Sequence, residues 1–227
     1  MFHYFPSCNF TAQFPREAAC LKDYMSRVVQ AQIHGCCRVD HGAIKPGDTI
    51  VTVCMNCGII LPEMLSEIPD LIYKNVFEIM AEYGGIAWPD LKGAAVTLQH
   101  CFRSHQAPQV ADGVRACLAR MNAQVVEVTD EFAGDISDQS AGEGHKFCGT
   151  FFFHPAIPSN LAKGPHYYGE IFPKYYIPLS AEEERELMQK HADSYQTDMV
   201  VCYCNRCTRD LQKAGVKARH VAELLFA

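Results

Sequence analysis

Short apolar runs alternate with longer amphipathic stretches along the first half of this chain. Phe2 to Cys8 and Thr49 to Val53 are rich in aromatic or β-branched residues, a pattern that indicates buried strands. Between them, Arg16 to Gln32 has apolar residues at helical spacing. A further helix is predicted over Val76 to Tyr83, and another is expected to begin at Gly58.

The second half repeats this order of elements. Its predicted elements are a strand over Ala94 to Leu98, a helix over Val110 to Met121, a strand over Gln124 to Val128, a strand over Asp198 to Val201 and a helix ending near Lys213. Alternating strands and helices predict an α/β fold with largely parallel strands. We therefore expect two pseudo-repeated units of short strands and flanking helices, with ligand sites at the strand ends.

Two local matches support an internal duplication. Asp48 and Asp198 each lie six residues before a C-x-x-C motif, and each opens an apolar run. The segment 76–80 resembles the segment 221–225, and each would close its unit with a helix. We predict a first unit over residues 1–92 and a second over 93–227, with a long insertion at about 149–197.

Cysteines change the picture most, because nine of the twelve fall into two parallel series. The first cysteine group is Cys8, Cys36, Cys37, Cys54 and Cys57, and the second cysteine group is Cys101, Cys148, Cys204 and Cys207. Each series begins after an apolar run and closes with C-x-x-C. Packing rarely needs so many thiols, whereas soft metals and iron–sulfur clusters use them as ligands.

Composition and charge exclude several other classes. The net charge of −6 and the absence of a basic run argue against a nucleic-acid binder. No apolar run approaches the ~20 residues of a membrane span, and the N-terminus has no signal-peptide pattern. We therefore expect a cytoplasmic protein without a transmembrane segment. In a reducing compartment, cysteines more often bind metal or act in redox chemistry than form disulfides.

The spacing of the motifs suits metal chemistry. A C-x-x-C turn places two sulfurs close enough to share one metal ion or cluster. Each such turn is predicted where a strand gives way to a helix, so the helix N-terminus would lower the thiol pKa and stabilise negative charge. The other ligands would arrive from strand ends at the same sheet edge, which is the usual ligand site of open α/β folds.

The two groups differ in ligand number. The first offers five thiols, more than the four that zinc needs, and the adjacent Cys36 and Cys37 favour a larger cluster. The second offers four, so zinc, a cubane cluster or an incomplete site all remain open. Cys20 is a weaker alternative to Cys8, and Cys202 could approach the second group.

With these motifs the chain resembles the cysteine-rich CCG-domain family, whose members include a subunit of heterodisulfide reductase. The family pattern is a cysteine, then Cys-Cys-Gly, then C-x-x-C, usually twice. The first copy here reads Cys8, Cys36-Cys37-Arg38 and Cys54-Met55-Asn56-Cys57; the second reads Cys101, Phe147-Cys148-Gly149 and Cys204-Asn205-Arg206-Cys207. The resemblance spans nearly the whole chain.

The resemblance implies an iron–sulfur oxidoreductase. A noncubane 4Fe-4S cluster would be bound by the first cysteine group, with Cys36 and Cys37 carrying the cluster at which catalysis occurs. The second group would bind another iron–sulfur cluster or zinc. The activity implied is reduction of a disulfide or related small sulfur substrate, with electrons from an iron–sulfur or flavin partner subunit. The alternative is a noncatalytic electron-relay or zinc-stabilised assembly subunit.

Three departures from the family pattern bear on these expectations. Arg38 replaces glycine after the cysteine pair and would bring bulk or positive charge beside the cluster. Phe147 replaces a cysteine, so the second copy cannot supply five ligands. The insertion is expected to cover one site or to dock a partner. His34, His100, His145 and His154 lie near the cysteines in the sequence, and a role at the surface or beside the ligands is favoured over ligation for each.

Overall fold

The computed structural model describes residues 1–128, 158–175 and 179–227, and within them the chain forms two four-stranded parallel sheets. The first sheet contains β1 (Phe2–Phe5), β2 (Gln32–Ile33), β3 (Thr49–Thr52) and β4 (Ile72–Asn75), in the order β2-β1-β3-β4. The second contains β5 (Ala95–Gln99), β6 (Gln124–Glu127), β7 (Val200–Cys202) and β8 (Ala218–His220), in the order β6-β5-β7-β8. The predicted α/β fold with two pseudo-repeated units is confirmed.

Helices flank both sheets. They are α1 (Cys8–Gln13), α2 (Pro15–Val28), α3 (Met55–Met64), α4 (Val76–Tyr83), α5 (Gln109–Arg120), α6 (Pro158–Leu161), α7 (Ala181–Asp193), α8 (Asn205–Lys213) and α9 (Val221–Leu225). Shorter 3-10 turns cover Phe102–Gln106 and Phe172–Tyr175, and a π-helical turn covers Tyr167–Ile171. Among these described helices, none is both long and apolar enough to cross a bilayer.

The internal repeat includes the N-terminal caps of α4 and α9, the last helix of each unit. At α4, Asn75 caps the helix and Glu78 bonds back to the Asn75 backbone N–H. At α9, His220 and Glu223 make the same reciprocal pair of bonds. Such capping boxes satisfy backbone donors that a helix start leaves open. The domain boundary at residue 92 remains a prediction; β4 ends at Asn75 and β5 begins at Ala95.

The predictions of individual elements failed where a short element is largely polar. The sequence did not indicate β2, β4 or β8, which have two to four residues each and include polar ones, so no apolar run stands out. Helix α1 was also missed. The expected helix start at Gly58 is wrong, because α3 already begins at Met55, directly after Cys54.

One continuous hydrophobic core joins the two units, with α4 of the first unit packed on α5 of the second. Gly113 on α5 permits this approach, since a Cβ there would lie 2.8 Å from the backbone nitrogen of Glu78. Nearby, the buried His220 ring packs among Phe10, Phe14 and Phe77 of the first unit.

We expect Gly113→Ala to lower the free energy of unfolding by about 1–3 kcal/mol, because the added methyl group overpacks the contact between the units. Gly58→Ala on α3 is the matched control. Within the described part of the chain its Cβ would meet the Thr52 hydroxyl alone, at 3.4 Å, so the gain in helix propensity should stabilise the protein by up to about 1 kcal/mol. Chemical denaturation measures both. Equal effects of the two changes would contradict the close approach.

His220 predicts a pH dependence of stability. Burial lowers the pKa of His220 to about 4, below the value near 6.5 expected in the unfolded chain. Between these values the unfolded state binds more protons, so stability should fall as the pH drops from about 6.5 to about 4. His220→Asn copies the Asn75 cap of the first unit and removes the titration. Its free energy of unfolding should change less steeply with pH, by up to about 1.4 kcal/mol per pH unit. An unchanged slope would contradict this assignment.

Candidate metal and redox site

Both C-x-x-C motifs lie at a strand-to-helix junction, as predicted. Cys54 follows β3 and is the N-cap residue of α3; Cys204 follows β7 and is the N-cap residue of α8. Both caps have extended backbone, and their carbonyls accept the first helical bonds, from Gly58 and Thr208. The second cysteine of each motif therefore lies in the first turn, where backbone N–H groups and the helix dipole favour a thiolate.

Three thiols of the second cysteine group form a compact cluster. The sulfur atoms of Cys101, Cys204 and Cys207 all lie within 4.8 Å of one another, and the three residues are 1%, 2% and 0% exposed. Cys101 follows β5, and Cys204 follows the neighbouring strand β7. This buried group could bind a metal ion, because three thiolates supply three of the four positions of a tetrahedral site. Cys148, the predicted fourth member, lies outside the described residues.

The five thiols of the first cysteine group form a connected series instead. Cys8 interacts with Cys36, Cys36 with Cys37, Cys37 with Cys57, and Cys57 with Cys54. The series starts at the exposed Cys8 and ends at the buried C-x-x-C pair. Residues from the ends of β1 and β3 and from the turn after β2 thus meet at one place. An extended set of thiols suits several metal ions better than one.

Hydrogen bonds distribute negative charge unequally within this series. The Cys57 thiol bonds to Cys37 and Cys54, and these two bonds raise the pKa of Cys57 well above its ordinary value. The same bonds hold the pKa of Cys37 below its ordinary value and lower the pKa of Cys54 to about 6, despite burial. Negative charge in this series is therefore favoured on Cys37 and Cys54 over Cys57, and a bound cation would be favoured beside these two thiols.

Ser7 links the parts of the first cysteine group. Its backbone has a positive φ of 62°, which is uncommon for a residue with a side chain. In this conformation its hydroxyl accepts the Phe10 N–H at the start of α1 and also bonds to Cys54, where it helps to lower the thiol pKa. Ser7 therefore connects the start of α1, and with it Cys8, to the C-x-x-C turn.

The two cysteine groups border a shared cavity. Cys54 Sγ lies 3.7 Å from Asn205 Oδ1, and the charge of Cys204 partly opposes the lowering of the Cys54 pKa. The cavity has a volume of about 640 Å³ and reaches both Cys54 and Cys204. Its size falls within the usual range of small-molecule sites. The duplication thus places two strand-end sites on either side of one space.

The buried histidines near the cysteine motifs bond to other polar side chains. His34 bonds to His3 and stacks on Phe5, and His3 in turn bonds to Asp48. In the second unit, His100 bonds to Glu127 at 2.7 Å and contacts the Tyr203 hydroxyl. The role of His34 and His100 beside the ligands stays a prediction. His145 and His154 lie outside the described residues.

The lone cysteines occupy the elements expected of packing residues. Cys117 lies buried on α5, where its thiol contacts the Phe77 carbonyl and burial raises its pKa to about 12. Cys20 lies partly buried on α2, away from the strand ends. Cys202 ends β7 and is close enough to feel the charge of Cys204, but burial is the main cause of its raised pKa.

The described part of the insertion contacts the surroundings of the first cysteine group. Tyr168 donates a hydrogen bond to Asn56, inside the first C-x-x-C motif, and Asn160 accepts one from Arg38. Glu63 on α3 accepts the backbone N–H groups of His166 and Tyr167. A segment of the second unit therefore lies against the C-x-x-C helix of the first.

Sequence reasoning missed several of the polar residues that line the cavity. Asn9, Asn160 and Arg209 come from separate parts of the chain, and no spacing linked them. A signal existed for three others, because Asn56, Asn205 and Arg206 lie inside the C-x-x-C motifs themselves. Their side chains had to share the location of the sulfurs.

The fold and site define an α/β protein of two pseudo-repeats whose cysteine-bearing strand ends enclose one cavity. No family model matches this chain, and comparisons with curated proteins and with solved structures return no match. The resemblance to the CCG-domain family rests on the cysteine motifs.

We expect Cys207→Ser to lower the metal content of the purified protein by about one ion, since it removes one of the three thiols that could hold a metal ion there. Cys117→Ser is the matched control, because Cys117 is equally buried but lies on α5. Elemental analysis under anaerobic conditions compares the two variants with the parent. Equal metal contents in all three proteins would show that the second group binds no metal.

Proposed function

We propose that this protein is an iron–sulfur redox subunit that reduces a disulfide or related sulfur compound with electrons from a partner protein. The observation that carries the proposal is the shared cavity, onto which Cys54 of the first unit and Cys204 of the second both open. A substrate in that space would lie beside both cysteine groups at once. The resemblance to the heterodisulfide reductase family supports the same proposal.

The thiols of the first cysteine group fit an iron–sulfur cluster. Thiolate sulfur is the ligand such clusters use, and the group offers five in a connected series. Two of them, Cys37 and Cys54, have pKa values lowered toward the thiolate form. Cys8 is exposed, so one end of the group is open to solvent or to a partner. A bound cluster would supply one-electron transfer and an iron site for sulfur.

The reaction proposed consumes two electrons and two protons. One sulfur–sulfur bond of the substrate breaks, and each sulfur leaves as a thiol after gaining one electron and one proton. The electrons come from an iron–sulfur or flavin subunit. The chain's own residues contribute the thiolate ligands, the cavity that orients the substrate and the polar groups around it.

A specific observation favours a different role for the second cysteine group. Cys101, Cys204 and Cys207 are almost fully buried and compact, as in a closed structural zinc site. The second candidate function is therefore an assembly or electron-relay subunit stabilised by zinc. The two proposals differ in the role of the first cysteine group. It is the reaction site in the redox subunit, and it has no catalytic role in the zinc-stabilised alternative.

Colour and metal content of anaerobically purified protein separate these candidates. Brown protein with iron, acid-labile sulfide and an electron paramagnetic resonance signal after reduction supports the redox subunit. Colourless protein with stoichiometric zinc and no iron would overturn it in favour of the scaffold.

We expect Cys37→Ala to reduce turnover of a disulfide substrate by about 100-fold or more, because loss of a ligand should cost at least as much as loss of a residue that orients one. Reduced viologen dye can replace the partner as electron donor. Cys20→Ala is the matched control on α2 and should retain turnover. Circular dichroism checks that both variants keep the fold. Full turnover in Cys37→Ala would exclude the first group as the reaction site.

A further inference from the structure

The cavity between the two C-x-x-C turns is lined by four arginines. Arg38 comes from the turn after β2, Arg103 from the 3-10 turn after β5, and Arg206 and Arg209 from α8. No acidic side chain of the described residues lines this cavity. Such a concentration of guanidinium groups is unusual in a chain whose net charge is −6.

Three of these arginines are held in place by the protein. Arg206 and Arg209 both donate through Nε to Asp210, at 2.7 and 3.1 Å, and Asp210 is buried. Arg38 donates to Asn160 of the insertion. Because each guanidinium has five N–H donors in a rigid plane, a contact on one side orients the others.

Positive charge remains in excess at the cavity wall after the ion pairs are counted. Asp210 pairs with both Arg206 and Arg209, so one carboxylate is shared by two guanidinium groups. Arg103 is 4% exposed, and a buried cation is stabilised when negative groups lie around it. The cysteine groups supply negative charge as thiolates or as a bound cluster. A ligand that adds negative charge within the cavity would be stabilised by the same four arginines.

Hydrogen-bond donors other than arginine reinforce the preference for an anion. The N-termini of α3 and α8, of ten and nine residues, begin at the cavity wall with Cys54 and Cys204 as caps. The first turns carry Asn56 and Asn205, whose amides also line the cavity. Helix N-termini and arginines together form the usual environment of bound carboxylates and phosphates.

We infer that this cavity binds a small organic anion with at least two negative charges, which lies between the two C-x-x-C turns. Arg38 and Arg209 select it by charge-assisted hydrogen bonds to carboxylate or phosphate oxygens. The identification of this anion with the redox substrate rests on the proposed function. The inference adds to that function that the sulfur substrate is an anion. Arg38 replaces the glycine of the family's Cys-Cys-Gly motif. In this inference the replacement has a function, because Arg38 is a specificity residue.

Isothermal titration calorimetry on the anaerobically purified full chain tests this inference with succinate, inorganic phosphate and neutral succinamide. At low ionic strength we expect succinate or phosphate to bind and succinamide not to bind. Tighter binding of succinate identifies a dicarboxylate-type ligand, and tighter binding of phosphate identifies a phosphorylated one. Binding of neither anion at millimolar concentration overturns the inference, as does equal binding of succinamide.

Variants locate the binding. Arg38→Gln and Arg209→Gln should each weaken anion binding roughly 10- to 100-fold, the usual effect of one lost charge-assisted hydrogen bond. Arg27→Gln on the outer face of α2 is the matched control and should bind as the parent does, since Arg27 is exposed and pairs with Asp23. Two independent variants keep the test decisive if one fails to fold. Equal affinities in all variants would contradict the assignment.

The metal content of the same samples distinguishes failure of this inference from failure of the proposed function. If the protein binds the anion but contains no iron, the anion site is supported and the iron–sulfur enzyme is rejected. If the protein contains an iron–sulfur cluster but binds no anion, the anion site is rejected and the proposed function is retained.

Discussion

Parallel pairing of neighbouring strands is the constraint on which the candidate site depends. In the first sheet Phe5 pairs with Thr52, so Cys8 and Cys54 leave the same sheet edge on adjacent strands. In the second sheet Gln99 pairs with Cys202, which brings Cys101 and Cys204 two residues beyond the paired positions. A register slip of one residue would turn alternate side chains to the other face and separate these sulfurs. The buried strands, which cannot slip without exposing their core residues, therefore determine the geometry of both cysteine groups.

Packing of one unit on the other then creates the shared cavity, which neither unit has alone. Contact of α4 with α5, made possible by Gly113, belongs to the continuous core that joins the two units. The N-termini of α3 and α8 approach each other across a cavity, where Cys54 lies near Asn205. Positive helix ends and arginines converge there with Cys54, whose pKa is lowered. The attraction between these opposite charges lowers the cost of collecting so many thiols in one place.

The two cysteine groups have diverged in accessibility although their strands are equivalent. The group of Cys101, Cys204 and Cys207 is compact and almost fully buried. The first group runs from buried Cys57 to exposed Cys8. The contacts of Tyr168 and Asn160 with the first unit place inserted chain at the more open group.

The two repeats could be predicted from the sequence by itself, because each follows from the structural preferences of neighbouring residues. A β-branched run before C-x-x-C predicts a strand that ends in a helix, and the structure has this junction at Cys54 and at Cys204. The repeated spacing before these motifs indicated duplication, and the helix over Val76 to Tyr83 was predicted with its observed bounds. The strands β2 and β8 have two and three residues, some of them polar, so no apolar pattern in the sequence indicated them. Only the tertiary structure decided which side chains share the cavity, because Arg38, Asn160 and Arg209 are joined by the packing of separate units rather than by any spacing along the chain.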